Sequence, residues 1–219
     1  LVVAAAVATA NASAGELRGP LGHHDVSVRV KSWLEIRDDH LVRQQWDISC
    51  GAAALSTILV YEFGADHSEL AIALSILANT DPAKVRARGG FSLLDLKRYG
   101  DAVGFSAEGY GGLTLDDLAD AAVPAILPVR IHGLDHFVVF RERVGDRVLL
   151  GDPAFGNLLV PEREFLEMWQ SGIGLLVHPG AASAARHERL SLDRMQLAIP
   201  DLNHVYRISR PGGALPAVR

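Results

Sequence analysis

The chain has 219 residues, 49% of them hydrophobic and 21% charged, with a formal charge of −5. That composition fits one globular domain with a sizeable core plus short extensions. Charges of both signs are interspersed without a basic stripe, which argues against nucleic acid as a partner.

The first residues, "LVVAAAVATANASAGE", carry no charge before Glu16. A short apolar run leads into Ala12-Ser13-Ala14, the small-x-small pattern that signal peptidase accepts. The expectation is a signal-peptide remnant over residues 1–14, a mature protein starting near Gly15, and export to the periplasm. A membrane anchor needs about 20 apolar residues, so no stable membrane insertion is expected after cleavage. The expected layout is an N-terminal extension at 15–27, a catalytic domain at 28–179 and a tail at 180–219.

Gly15 to His24 reads as a loop with paired histidines, and "VSVRV", Val26 to Val30, alternates as a half-exposed strand does. Cys50 to Phe63 reads as a buried helix, with Ala53, Ala54, Ile58 and Tyr61 on its core face and Gly64 ending it. A second helix is predicted over His67 to Ala78 with Ser68 as its cap. A third runs from Ser92 to Val103, and a fourth, Thr114 to Ala122, opens on a threonine cap and acidic residues. "GYGG", Gly109 to Gly112, reads as a turn. Short β-patterned runs follow at Ala125–Ile131, His136–Arg141 and Arg147–Gly151. A helix over Pro161 to Trp169 and a strand over Ile173 to Val177 complete the order. Helices first and a mostly antiparallel sheet afterwards predict an α+β fold. The tail has one predicted helix, with Arg186, Arg189 and Arg194 on a solvated face.

The single cysteine, Cys50, stands where the first long helix begins, in "QQWDISCGAAALSTIL". First-turn N–H groups and the helix dipole favour a thiolate there, and Gly51 lets backbone and substrate approach closely. A nucleophilic thiolate also needs a proton acceptor, a group that orients the acceptor, and oxyanion donors. Of nine histidines, only His136, in "GLDHFVVF", opens a strongly β-patterned run. Asp152, in "RVLLGDPAFGN", ends the neighbouring predicted strand, where Pro153 stops the ladder. The "ERVGDR" turn would bring His136 and Asp152 to one sheet edge. The oxyanion donor is Gln44 or Gln45. A metal site at His132 and His136 would need three or four convergent ligands, and none is expected. Trp33, Trp46 and Trp169 read as packing residues, Trp46 also as a candidate wall of the substrate cleft.

"RQQWDISCGAAALSTIL", "DHFVVF" and "LLGDPAFGN" together resemble the C39 family of papain-like cysteine peptidases, the bacteriocin-processing or double-glycine peptidases. The resemblance runs from about Val28 to Pro179. It implies a papain-like fold and a catalytic set of Cys50, His136 and Asp152, and it selects Gln44, six residues before the cysteine, over Gln45. It also implies a polypeptide substrate and no cofactor. Transporter-fused members usually carry Asp directly before Cys-Gly, where this chain has Ser49. The chain is more similar to stand-alone exported relatives, including those of bacterial functional-amyloid secretion operons, a likeness that "GFSLLDLKRYGDAVGF" and "EFLEMW" share. Secretion or fibre-assembly proteins are then the expected partners. The alternative within the same fold is a non-hydrolytic scaffold or chaperone.

Overall fold

The computed structural model describes residues 15–21, 24–30, 32–121, 123–131 and 133–180. The signal-peptide segment, His132, the predicted tail helix and its arginines lie outside them. The N-terminal segment is a hairpin, β1 (Gly15–Leu21) against β2 (His24–Val30), rather than the loop expected before Val26. Gly15, Gly19 and Pro20 conceal a two-residue alternation in that stretch, so its pattern does not announce a strand.

The short helix α1 (Trp33–Arg37) is followed by α2 (Cys50–Thr57), which continues as a π-helical turn over Ile58–Glu62. That wider turn shifts the phase of the helix, and Tyr61, expected on the core face, is exposed. Next come α3 (Glu69–Asn79), α4 (Pro82–Arg88) and α5 (Leu93–Ala102). Ser68 caps α3 as expected, and Ser92 caps α5. After them, β3 (Ser106–Tyr110) takes in Gly109 and Tyr110, leaving only Gly111 and Gly112 of the expected turn in a bend.

The remaining elements are α6 (Leu115–Asp120), β4 (Ala125–Ile131), β5 (Leu134–Val144), β6 (Arg147–Asp152), β7 (Gly156–Pro161), α7 (Glu162–Met168) and β8 (Gly174–His178). One six-stranded antiparallel sheet has the order β3-β8-β4-β5-β6-β7. Side chains alternate across it, as the pleat requires. Ile126 and Val139 join Leu55, Ile58, Ile72 and Leu96 in the core under α2, α3 and α5. Leu127 and Val138 join Leu150, Leu158, Phe165 and Trp169 in a second core on the other face. The nucleophile's helix therefore lies against the middle of the sheet and is buried along its length. Among the described residues, no helix is long and apolar enough to cross a membrane.

The β5–β6 hairpin carries an irregularity that matters for the site. Next to its turn, Val144 pairs with Arg147 and Glu142 with Leu149, but beyond Arg141 the register moves to Phe140 with Leu150 and Val139 with Gly151. Arg141 is the extra residue of a β-bulge. Its guanidinium is buried, donates from Nη2 to His40 O at 2.8 Å, and fits only because position 151 is glycine. A Cβ there would come within 2.9 Å of Arg141 Nε. Burial pulls this guanidinium down to about 10, against the opposing charges of Glu62 and Asp39.

Candidate active site

Cys50 is the first residue of α2 and is 9% exposed. Gly51 behind it faces inward, since a Cβ would meet Leu96 and Phe137 side chains at 3.1 Å. Its small size therefore serves helix–sheet packing rather than the close substrate approach expected from sequence.

His136 lies near the start of β5 with its side chain 13% exposed, and Asp152 ends β6 fully buried. His136 Nε2–H donates to Asp152 Oδ1 at 2.8 Å. The bulge makes this possible. Extended without the shift, the register of the turn would set Val139 opposite Asp152, on the sheet face away from His136. A slip of one residue inverts the face of every side chain, and the extra residue at Arg141 returns His136 and Asp152 to the same face.

Asp152 Oδ1 also accepts the N–H groups of Ala154 at 2.7 Å and Phe155 at 3.0 Å. These bonds shape the turn that Pro153 opens and Gly156 closes. Gly156 has φ +99°, and a side chain there would collide with Arg37. The same turn reaches the other half of the site. Pro153 O accepts Gln44 N–H at 3.0 Å, and Arg43 Nη2 donates to Ala154 O.

The Cys50 thiol is the second group that acts on His136, and it raises the imidazole. With Nε2 on Asp152, the nitrogen left for the thiol is Nδ1. Burial pushes the imidazole down, but the hydrogen bond to Asp152, the interaction with Cys50 and the charges of both outweigh it, raising His136 to about 10. The structure thus bonds His136 to Asp152 and sets the imidazole within the electrostatic reach of Cys50.

Gln44 joins this site through its backbone. Its side-chain Nε2 donates to Trp46 O at 3.1 Å, which leaves one N–H of the amide uncommitted, and its Oε1 is buried without a partner. Gln45 and Trp46 are exposed, so Trp46 is no packing residue, whereas Trp169 is buried. Sequence reasoning missed Glu69, which is 3% exposed and accepts Gln45 N–H at 2.9 Å. An acid just after the Ser68 cap looks like an ordinary first-turn residue facing the helix dipole. Among the described residues no group of three His, Cys, Asp or Glu could hold a metal.

Residues 38–182, which include this whole constellation, match the profile of the peptidase C39 family. The chain belongs to the peptidase C39 family. It is 40% identical over 152 residues to the probable functional amyloid protease FapD of Pseudomonas aeruginosa, covering 69% of this chain and 66% of that protein. To the protein of the same description from Pseudomonas fluorescens it is 40% identical over 141 residues, covering 64% and 62%. The chain thus spans slightly less than two thirds of the length of these curated relatives. The peptidase domain of Streptococcus ComA, a bi-functional ABC transporter of a quorum-sensing pathway, superposes with a TM-score of 0.53 at 22% identity. That superposition covers 64% of this chain and 97% of the ComA domain. The α+β fold is that of a C39 peptidase domain.

The crowding of donors around Asp152 Oδ1 makes a specific prediction for Asp152→Asn. Three N–H groups converge on that oxygen, so the amide oxygen is fixed there and the His136 tautomer is kept. The charge is lost, and the amide NH2 takes the place of Oδ2, which is buried without a partner. A hydrogen bond to a charged group exceeds a neutral one by about 1–2 kcal/mol, so turnover is expected to fall about five- to thirtyfold with KM little changed. Steady-state kinetics of the purified variant check this, and unchanged turnover would reduce Asp152 to a turn-forming residue.

Proposed function

We propose that the chain is an exported cysteine peptidase that hydrolyses peptide bonds of a secreted or periplasmic polypeptide in support of functional-amyloid secretion. The observation that carries this reading is the His136–Asp152 hydrogen bond at 2.8 Å, with Cys50 at the start of α2 acting on the same imidazole. Family membership supports the chemistry, and the name of the Pseudomonas relatives supports the biological setting.

Cys50 Sγ attacks the scissile carbonyl carbon, and its proton resides on His136 Nδ1. The carbonyl π electrons move to oxygen, and the oxyanion is held by Cys50 N–H and the uncommitted N–H of Gln44 Nε2. Collapse breaks the C–N bond as His136 passes its proton to the departing amine, leaving a thioester on Cys50. Water then attacks the thioester, His136 takes a proton from it, and the carboxylic acid leaves as the thiol is restored. Asp152 keeps Nδ1 turned to sulfur throughout and stabilises the imidazolium.

The test is fibre secretion by cells carrying Cys50→Ala, with protein accumulation matched to wild type and subunit cleavage followed by mass spectrometry. Secretion and cleavage should both be lost. Wild-type secretion from the Cys50→Ala cells would replace this reading with that of a non-hydrolytic scaffold.

A further inference from the structure

Four helices begin at a serine or threonine whose hydroxyl oxygen accepts an N–H of its own first turn: Ser32, Ser68, Ser92 and Thr114. All four have an extended backbone, with ψ between 153° and 168°. Ser49 stands at the same place on α2 but makes no such bond, and its ψ is 8°. Its hydroxyl is turned away, 2.5 Å from Glu69 Oε1 and 2.8 Å from Trp46 O. A hydroxyl has one proton to give, and Trp46 O already accepts Ser49 N–H and Gln44 Nε2. The short contact to Glu69 is the charge-assisted one. The same Glu69 oxygen takes Gln45 N–H, and Glu69 Oε2 is buried without a partner. An apolar side chain would fill that space without the cost of burying a carboxylate.

We infer that Glu69 is a positioning residue of the peptidase site: it pins the 44–49 loop at both ends, through Gln45 N–H and the Ser49 hydroxyl, so that the loop holds its place beside Cys50. This rests on the peptidase reading above. Pinning the loop also fixes Gln44, the second donor, relative to Cys50. Glu69 acts through Ser49 and Gln45 rather than on the reacting atoms.

The probe is p-nitrophenyl acetate, whose ester C–O bond breaks as the acyl carbon bonds to Cys50 Sγ and nitrophenolate leaves. Its burst rate needs the thiolate and the oxyanion donors, whereas iodoacetamide alkylation needs only the thiolate. Glu69→Leu should slow the burst about 10- to 100-fold, part of the cost of losing an oxyanion donor, and leave alkylation unchanged. Glu69→Gln, which retains an acceptor for Gln45 and Ser49, should restore most of the burst. Ser49→Ala should slow the burst without slowing alkylation, and it serves if Glu69→Leu does not fold. A wild-type burst in Glu69→Leu or Ser49→Ala overturns the proposal. So does a parallel fall in burst and alkylation, which would make Glu69 purely structural. A burst that persists in Cys50→Ala would strike the peptidase reading itself and carry this proposal down with it.

Discussion

His136→Ala is expected to lower peptide hydrolysis by about three to four orders of magnitude, the upper range for loss of a general acid–base group. The variant loses the proton carrier for both halves of the reaction and the cation beside the thiol. Iodoacetamide alkylation provides a second readout. Cys50 should alkylate more slowly in His136→Ala, which lacks the cation that favours the thiolate. Stability should respond as well. The histidine is raised from 6.5 to about 10 in the folded protein, so its proton favours the native state. That contribution is complete below the unfolded pKa near 6.5 and disappears as pH rises through about 10. The gap in urea midpoint between wild type and His136→Ala should accordingly change across this window and be level below it. A gap independent of pH from 6 to 10 would show that the folded protein does not hold the His136 proton.

Gln44→Ala should lower the chemical rate by about two to three orders of magnitude, as loss of one oxyanion donor does. The interaction strengthens as negative charge develops on the substrate oxygen, so affinity for a non-cleavable peptide should barely change. Cys50 should alkylate at the wild-type rate. Gln45→Ala is the internal control. Its side chain is exposed, and the backbone N–H that reaches Glu69 survives the substitution. Single-turnover cleavage and peptide binding on the same two variants decide the matter. Equal rates for Gln44→Ala and wild type would leave the oxyanion to backbone donors alone.

Cys50, His136 and Asp152 were legible in the sequence because each marks an element boundary: a helix start, a strand start, and a strand end before proline. Gln44 was not separable from Gln45 by any physical pattern, and only the family resemblance chose it. The missing parts are those whose local signal has a simpler meaning. β7, "GNLLVP", is buried on both faces and shows no alternation. α4 buries only Val85, so its Asp-Pro start had no apolar stripe to support it. The bulge at Arg141 is invisible because "VVFRERV" looks the same whether or not one residue is looped out. Yet this bulge decides whether His136 faces Asp152, so a feature unmarked in the sequence controls whether two legible residues meet.

The turn after Asp152 also sets when the site is completed. Gln44 is anchored on Pro153, Arg43 on Ala154, and His136 on Asp152, so these three clamps come from chain made long after Cys50 itself, whereas Glu69 follows it closely. A ribosome builds from the N-terminus, and domains fold as their segments become available. A nascent chain that has completed every helix through α6 holds a cysteine whose loop has its Glu69 contacts but which still lacks His136 and the Pro153 anchor. The site is therefore complete only once the hairpin of β6 and β7 has closed, and the order of synthesis places its assembly late.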